Sequence, residues 1–479
     1  MPVVSFIRSS RLGGIPRRTL LMTSLPTAVQ SPCSQLERGM GLSGALSANI
    51  LNMVGVGPFL TIPLALAAMG GPQAMLGWLL GALLCLCDGM VWAELGSRFP
   101  RSGGPYHYLL QGFGPQRWGR LLAFLFLWQA LLIGPISVAG GAVGFSEYTH
   151  FLAPSLTHRQ LVLVAMALCL VTTALLYRSI QSISVISIVV TVAVLGTCIW
   201  IIVSGFLHFH AALAFDLPPH AFHLTRAFWY ALGSATLIGV YDYGGYSNVC
   251  LIGEEVQEPR RTIPRAVLGS IVLVAILYLA INVAILGTVP WREGQHSSAI
   301  VADFMQRLHG RTGAVLVSAL ILLASFGSVY AILLGFSRIP YTAAAEGQFF
   351  RPFARLHPTG HFPVVSLLTV GALSAVACLF SLADLIGSLI VVQTMFQFAA
   401  QCVAVILLRR HPERHPAPAG QYRMPLYPLP AVIALLGWIY IVVSGKLLYI
   451  AIGLAMAAVG TVFFLLGARK REEWPFLRA

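Results

Sequence analysis

The sequence predicts an all-α polytopic membrane protein with about twelve transmembrane helices. Three observations carry that prediction. Of 479 residues, 57% are hydrophobic and only 10% are charged, against about 45–50% and about 25% in a soluble globular chain. The apolar residues gather into runs of about 20, the length a helix needs to cross the hydrocarbon core. The 30 Lys and Arg residues also alternate in density from loop to loop. Too few charges remain to clothe a water-facing surface. That excludes a soluble enzyme, a disordered chain and, despite a net charge of +14, an ordinary nucleic-acid binder.

Taken in order, residues 1–38 read as a disordered basic cytoplasmic tail with Arg8, Arg11, Arg17 and Arg18 and no acid before Glu37. An organellar targeting segment has the same composition. A transmembrane domain follows over 39–468. Its spans fall at about 41–67, 73–95, 118–146, 159–177, 182–205, 226–252, 266–289, 313–342, 362–383, 386–408, 427–445 and 448–468. Gly70-Gly71-Pro72, Gly114-Pro115, Pro290, Pro363 and Pro425 punctuate several borders. Residues 469–479 form a second short tail. With the N-terminus inside, 24 of the 30 basic residues face the cytoplasm, so both termini are expected there, in the plasma (cell inner) membrane.

Two spans contain sequence that a continuous helix avoids. In the first, Gly55-Val56-Gly57-Pro58 comes about 21 Å into the run. Gly loosens the backbone, and Pro58 suits the first position of a new half-helix. Gly57 is therefore expected to need a backbone closed to larger residues. The N–H groups at the head of that half-helix would form a carboxylate site. In the sixth, Tyr241-Asp242-Tyr243-Gly244-Gly245-Tyr246 permits a second break, with Gly244 in the same role. Free carbonyls ending the preceding half-helix would suit an ammonium. Glycine for close helix packing is the alternative at either place. Both breaks, five spans apart, fit a plan of inverted five-helix repeats: 41–205, then 226–408, with 427–468 added.

These residues resemble the amino acid–polyamine–organocation superfamily, nearest its L-type amino acid transporter branch. Gly55-Val56-Gly57-Pro58-Phe59 is similar to that family's first-span signature. Ala93-Glu94-Leu95-Gly96, Ser102-Gly103-Gly104 and Tyr106 resemble the end of its second span and the loop after it. Trp128, Pro135, the run Tyr241–Tyr246, Glu254-Glu255, Pro259, Ser337-Arg338, Ala345-Glu346-Gly347, Pro363, and Arg423, Pro425, Leu426 and Tyr427 follow in the expected order. The resemblance covers about 40–465. It implies a leucine-transporter-type (LeuT-like) 5+5 fold and a permease that moves amino acids by alternating access. It also implies that backbone at Gly55, Val56 and Gly57 holds the substrate carboxylate. Backbone near Tyr241, Gly244 and Gly245 would hold the amino group, with Tyr241 as an aromatic outer gate.

The departures matter as well. Pro58 deletes one N–H near the carboxylate site, and polyamine transporters of plants and protists carry a similar Gly-Gly-Pro, so a cationic amine is the alternative substrate. The loop at about 147–158 has no Cys, so no disulfide-linked heavy chain is expected. No Lys lies in the fifth span, where some proton-dependent relatives place one; Ile188 or a neighbour stands there.

Acids inside spans are functional candidates by default. Asp242 either pairs with a substrate cation, carries a coupling proton, or caps the second half of span six. Asp88 either titrates during transport or bonds a neighbouring helix. Glu94 is expected beside Arg98 and Arg101, and Glu254, Glu255 and Glu258 beside Arg260, Arg261 and Arg265. Ser325 and Ser328 resemble the place where sodium-coupled cousins hold a cation, although Ser in such helices commonly bonds its own backbone. Proton and sodium coupling thus both stand open.

The eight cysteines form no CxxC pair and read as small hydrophobes. His208 and His210 are the sole weak hint of a metal; no cofactor is expected, and no hydrolase elbow or phosphate loop marks an enzyme. A non-transporting amino-acid receptor would need a sizeable cytoplasmic output region, and the tail after 468 offers eleven residues.

Overall fold

The computed structural model describes residues 36–476 apart from 220, 298, 380–391, 413–415, 446 and 471–473. The expected tail over 1–38 therefore lies outside the described residues except for its last three, as do the start of segment 386–408 and most of 469–479. Among the described residues the chain is helical, with isolated bridges and no strand.

Each expected segment contains a helix. Span one comprises α1 (Leu42–Met53) and α2 (Gly57–Met69), bent by 41° at the break between them. Then come α3 (Met75–Arg98), a short α4 (Pro105–Gly112), α5 (Trp118–Leu152), α6 (His158–Leu175) and α7 (Ile180–Leu207). The sixth segment holds α8 (Arg226–Tyr243) and the single turn α9 (Asn248–Leu251). After α10 (Pro259–Leu286) runs α11 (Ile300–Ala345), which kinks at Gly310, where φ is 66°. The last helices are α12 (Val364–Ala377), α13 (Ala399–Arg410), α14 (Leu429–Ser444) and α15 (Leu447–Lys470). Seven described helices are long and apolar enough to cross a bilayer, and the bent pair makes an eighth. The other four expected segments hold shorter or more polar helices. Leu-, Val- and Phe-rich outer faces are exposed, as lipid requires, while the inner faces form one buried core.

Breaking a helix in an apolar interior strands backbone groups that water cannot reach. Here side chains take them up. Tyr278 donates to the Met53 carbonyl at 2.6 Å and Ser328 to that of Asn52 at 3.4 Å. Pro63 cannot bond the Phe59 carbonyl one turn back, and the Tyr148 hydroxyl donates to that carbonyl at 3.2 Å. Across the second break, Asn49 donates to the Tyr246 carbonyl at 2.6 Å and accepts from the Val249 N–H at 2.9 Å. Asn248 donates to the Ala331 carbonyl at 3.0 Å. Helices α3 and α8 cross in close contact through Gly77 and Gly239, where an added β-carbon would lie 2.6 Å from the Ala235 carbonyl and 2.8 Å from the Gly77 carbonyl, respectively.

The expected charge neighbours hold in part: Arg98 lies within electrostatic reach of Glu94, and other partners are corrected. Glu94 is held by Arg409 of α13 and accepts the Met424 N–H at 2.8 Å. Glu255 makes a bidentate, buried pair with Arg338 of α11 at 2.6 and 3.0 Å and so leaves the expected local cluster, within which Glu258 and Arg261 do pair, at 3.9 Å. Arg101 pairs with Glu346 at 3.2 Å. These partners are distant in sequence, and loop spacing shows only the nearer charges.

Candidate functional site

The two breaks face each other across a cavity of about 170 Å³. Gly55, Val56, Gly57, Tyr241, Asp242, Gly244, Gly245 and Ser328 all line it. Pro58 is the second residue of α2, one place later than expected. The α2 dipole starts at the cavity wall, where its first residue Gly57 lies; Pro58 has no N–H, and the Phe59 N–H bonds the Val56 carbonyl at 3.1 Å. Opposite, α8 ends at Tyr243, with Val240, Tyr241 and Asp242 of its last turn in the cavity wall. The arrangement offers an anion-favouring backbone end and a cation-favouring one a few ångströms apart.

Gly57 is restricted by space: a β-carbon there would lie 3.1 Å from Asp242 Oδ1 and 3.4 Å from the Tyr241 ring. Gly244 is a correction. Its φ of −55° and ψ of 138° are open to any residue. Gly245 carries the restriction instead, with φ at 115° and a β-carbon position 2.7 Å from the Asn52 side chain.

Asp242 is also corrected as a cap. It lies in the last turn of α8, and the position before α9 is Ser247, whose side chain caps nothing. One carboxylate oxygen of Asp242 accepts from the Thr61 hydroxyl at 2.7 Å and the Trp78 indole at 3.0 Å. The other has no hydrogen-bond partner among the described residues. Asp88 does not line the cavity. It lies behind it, bonded to Tyr246 at 2.5 Å and Trp438 at 3.0 Å. The Ser325 hydroxyl is buried without a partner and is not in the wall. His208 and His210 bond backbone carbonyls.

Several lining residues escaped the sequence reading: Asn52, Trp92, Asn248, Gln393, Gln397, Phe398 and Trp438. Amides within apolar runs were the available signal. Phe398 and Trp438 stack with centroids 4.4 Å apart and close one end with an aromatic wall. Among the described residues no Lys, Arg or His lines the cavity.

Membrane-length helices enclosing a cavity at two facing helix breaks define a membrane transporter. The family is shown by comparison: a model described as "Amino acid permease" matches residues 41–466, and the chain belongs to that family. It is similar to the serine/threonine exchanger SteT of Bacillus subtilis, 25% identical over 85% of this chain and 91% of that one. It is 27% identical to the mouse Asc-type amino acid transporter 1 over 91% and 82%, and 28% identical to the human cystine/glutamate transporter over 84% and 79%. The chain is an integral membrane protein that moves amino acids and not an enzyme. Neither a polyamine carrier nor a receptor is favoured by these similarities.

Proposed function

We propose that this permease carries neutral L-amino acids by alternating access through twelve spans arranged as two inverted repeats of five plus a final pair. Both termini face the cytoplasm of a cell's outer boundary membrane, with residues 1–38 and 469–479 as tails and no disulfide-linked heavy chain. The observation that carries the substrate reading is the cavity wall. It presents the head of α2 at Gly55–Gly57 to a carboxylate and the end of α8 at Tyr241, Gly244 and Gly245 to an ammonium. Among its described residues it has no basic side chain to hold an acidic substrate side chain. The unpartnered oxygen of Asp242 faces the same space and adds attraction for the ammonium. Tyr241 covers the occupied site. Serine, threonine and other small neutral amino acids suit this volume, in keeping with the serine/threonine exchanger among the relatives. Coupling falls to Asp242, Asp88, or a sodium site at Ser325 and Ser328, or the cycle runs as exchange.

The test is counterflow of a labelled panel of neutral, cationic and anionic L-amino acids and polyamines in proteoliposomes, for wild type and Asp242→Asn. Neutral amino acids should exchange best. A charge pair about 4 Å apart is worth around 4 kcal/mol at an effective dielectric of about 20. If a quarter survives desolvation, Asp242→Asn should weaken binding about fivefold. Preferential exchange of glutamate or putrescine would overturn the substrate class. Unchanged affinity in the variant would remove Asp242 from the site.

A further inference from the structure

We infer that Asp88 is a proton-binding site wired to the transport cavity through the Tyr246 hydroxyl, so that substrate movement is coupled to protons and not to sodium. The inference rests on the proposed permease cycle and specifies its driving ion.

Asp88 is fully buried in the middle of α3. An ionised carboxylate at that depth is costly without a counter-charge. None of its partners is a cation. Oδ2 accepts from the Tyr246 hydroxyl at 2.5 Å; Oδ1 accepts from the Trp438 indole at 3.0 Å and faces the Cys402 thiol at 3.8 Å. The titratable groups around it are Cys85 and Cys87 on its own helix, Tyr246 in the break and Cys402 on α13. From α10, Val267, Leu268 and Ile271 pack against the adjoining Gly89. A charge here is relieved by taking up a cation, and the chemistry of the shell decides which one. Hard metal cations need several oxygen ligands. Indole N–H and thiol S–H point hydrogens at the carboxylate and cannot serve as such ligands. A proton needs only the carboxylate itself.

Two of those partners connect the site to the substrate: Tyr246 and Trp438 both line the cavity. With Asp88 ionised, Tyr246 donates to it. When Tyr246 passes its hydroxyl proton to Oδ2 and regains one from water in the cavity, Asp88 becomes the donor and the hydroxyl must accept. The tyrosine's own proton then turns toward another acceptor. The Tyr246 carbonyl is already tied to Asn49 across the two breaks, so the protonation state of Asp88 bears on the joint where the half-helices meet. Asp242, also without a cationic partner, lacks this link to the second break; its bonded partners are Thr61 and Trp78.

The experiment uses the full-length protein in liposomes and has two arms. Infrared difference spectra across a pH step read carboxyl protonation without substrate. Wild type should gain a protonated-carboxyl band as pH falls. Asp88→Asn should lose a component that Asp242→Asn keeps, and Tyr246→Phe should shift that component along the pH axis. In the second arm, a mixed pool of radiolabelled neutral L-amino acids should accumulate under an inward proton gradient, with sodium replaced by choline. Accumulation should vanish in Asp88→Asn, and the pH profile of exchange should flatten. An unaltered band and undiminished proton-driven uptake in Asp88→Asn would overturn the inference, as would wild-type uptake that follows sodium. If Asp88→Asn does not fold, an unshifted band in Tyr246→Phe overturns it. If wild type moves no amino acid under any gradient, the permease reading fails, while the infrared arm still tests the proton site.

Discussion

At Gly245, φ is 115° and the Asn52 backbone carbon lies 2.8 Å from where a β-carbon would be. An alanine there meets both backbone strain and an immovable neighbour, which together cost about 1–3 kcal/mol. Gly244 has an ordinary backbone, and its nearest obstacle is the Tyr241 carbonyl at 3.0 Å. Gly245→Ala should therefore abolish substrate binding or lower the melting temperature well beyond Gly244→Ala; equal effects in thermal-shift and binding assays would refute the assignment. His107, in the loop helix α4, gives a pH signature of its own. Burial, helped by the nearby Arg101 charge, pushes its imidazole down to about 3. The unfolded chain takes up this proton below about pH 6.5 and the folded one does not, so stability falls as pH drops, by up to about 1.4 kcal/mol per unit. Glu346 beside it is pushed up by burial, which works in the opposite direction. Thermal unfolding between pH 7 and pH 5 should steepen in wild type relative to His107→Gln. Parallel profiles would show that another group dominates.

Each broken helix depends on side chains from its neighbours. Phe59 loses its intrahelical acceptance to Pro63 and is rescued by Tyr148. Tyr148→Phe strands that carbonyl, and an unsatisfied buried acceptor costs about 1–3 kcal/mol. The expected result is a lower melting temperature with the cavity lining intact. A variant as stable as wild type would mean that the carbonyl finds another donor. This dependence also explains what could be read from sequence. The Gly-Pro and Gly-Gly pairs are local signals, so both breaks and the residues flanking them were legible. Helices α3, α5, α7, α10 and most of α11 were equally plain, because length and hydropathy alone define them. The caps were not legible, since Tyr148, Tyr278 and Asn49 reach them from other helices. Nor was the bond from Asp242 to Thr61 and Trp78, which joins residues 181 and 164 positions apart. A cap stood among the three roles open to Asp242 because sequence shows a neighbour along the chain and not one across the bundle.

The whole molecule pairs the two broken spans half by half. Asp242 bonds Thr61, joining α8 to α2; Asn49 bonds the Tyr246 carbonyl and the Val249 N–H, joining α1 to the segment that includes α9. Where α1 begins, the Met40 N–H donates to the Glu255 carbonyl at 3.0 Å. These bonds tie each half-span to its partner, α2 to α8 and α1 to the segment that includes α9. The side chain of Glu255 fastens this unit to α11 through Arg338, and both side chains are at most 3% exposed. Removing one partner of a buried pair leaves the other charge stranded, at about 3–5 kcal/mol, whereas replacing both with apolar residues is often close to neutral. Glu255→Leu and Arg338→Met should each unfold readily in detergent, and the double variant should recover most of the lost stability. The same double variant should change transport, because the link that fixes the paired halves against α11 is gone. If the pair holds one end state, substrate affinity and turnover should shift in opposite directions in the double variant. A double variant no more stable than the singles would show that the two charges are not coupled. Recovered stability with wild-type kinetics would reduce the pair to a structural fastening with no part in the cycle.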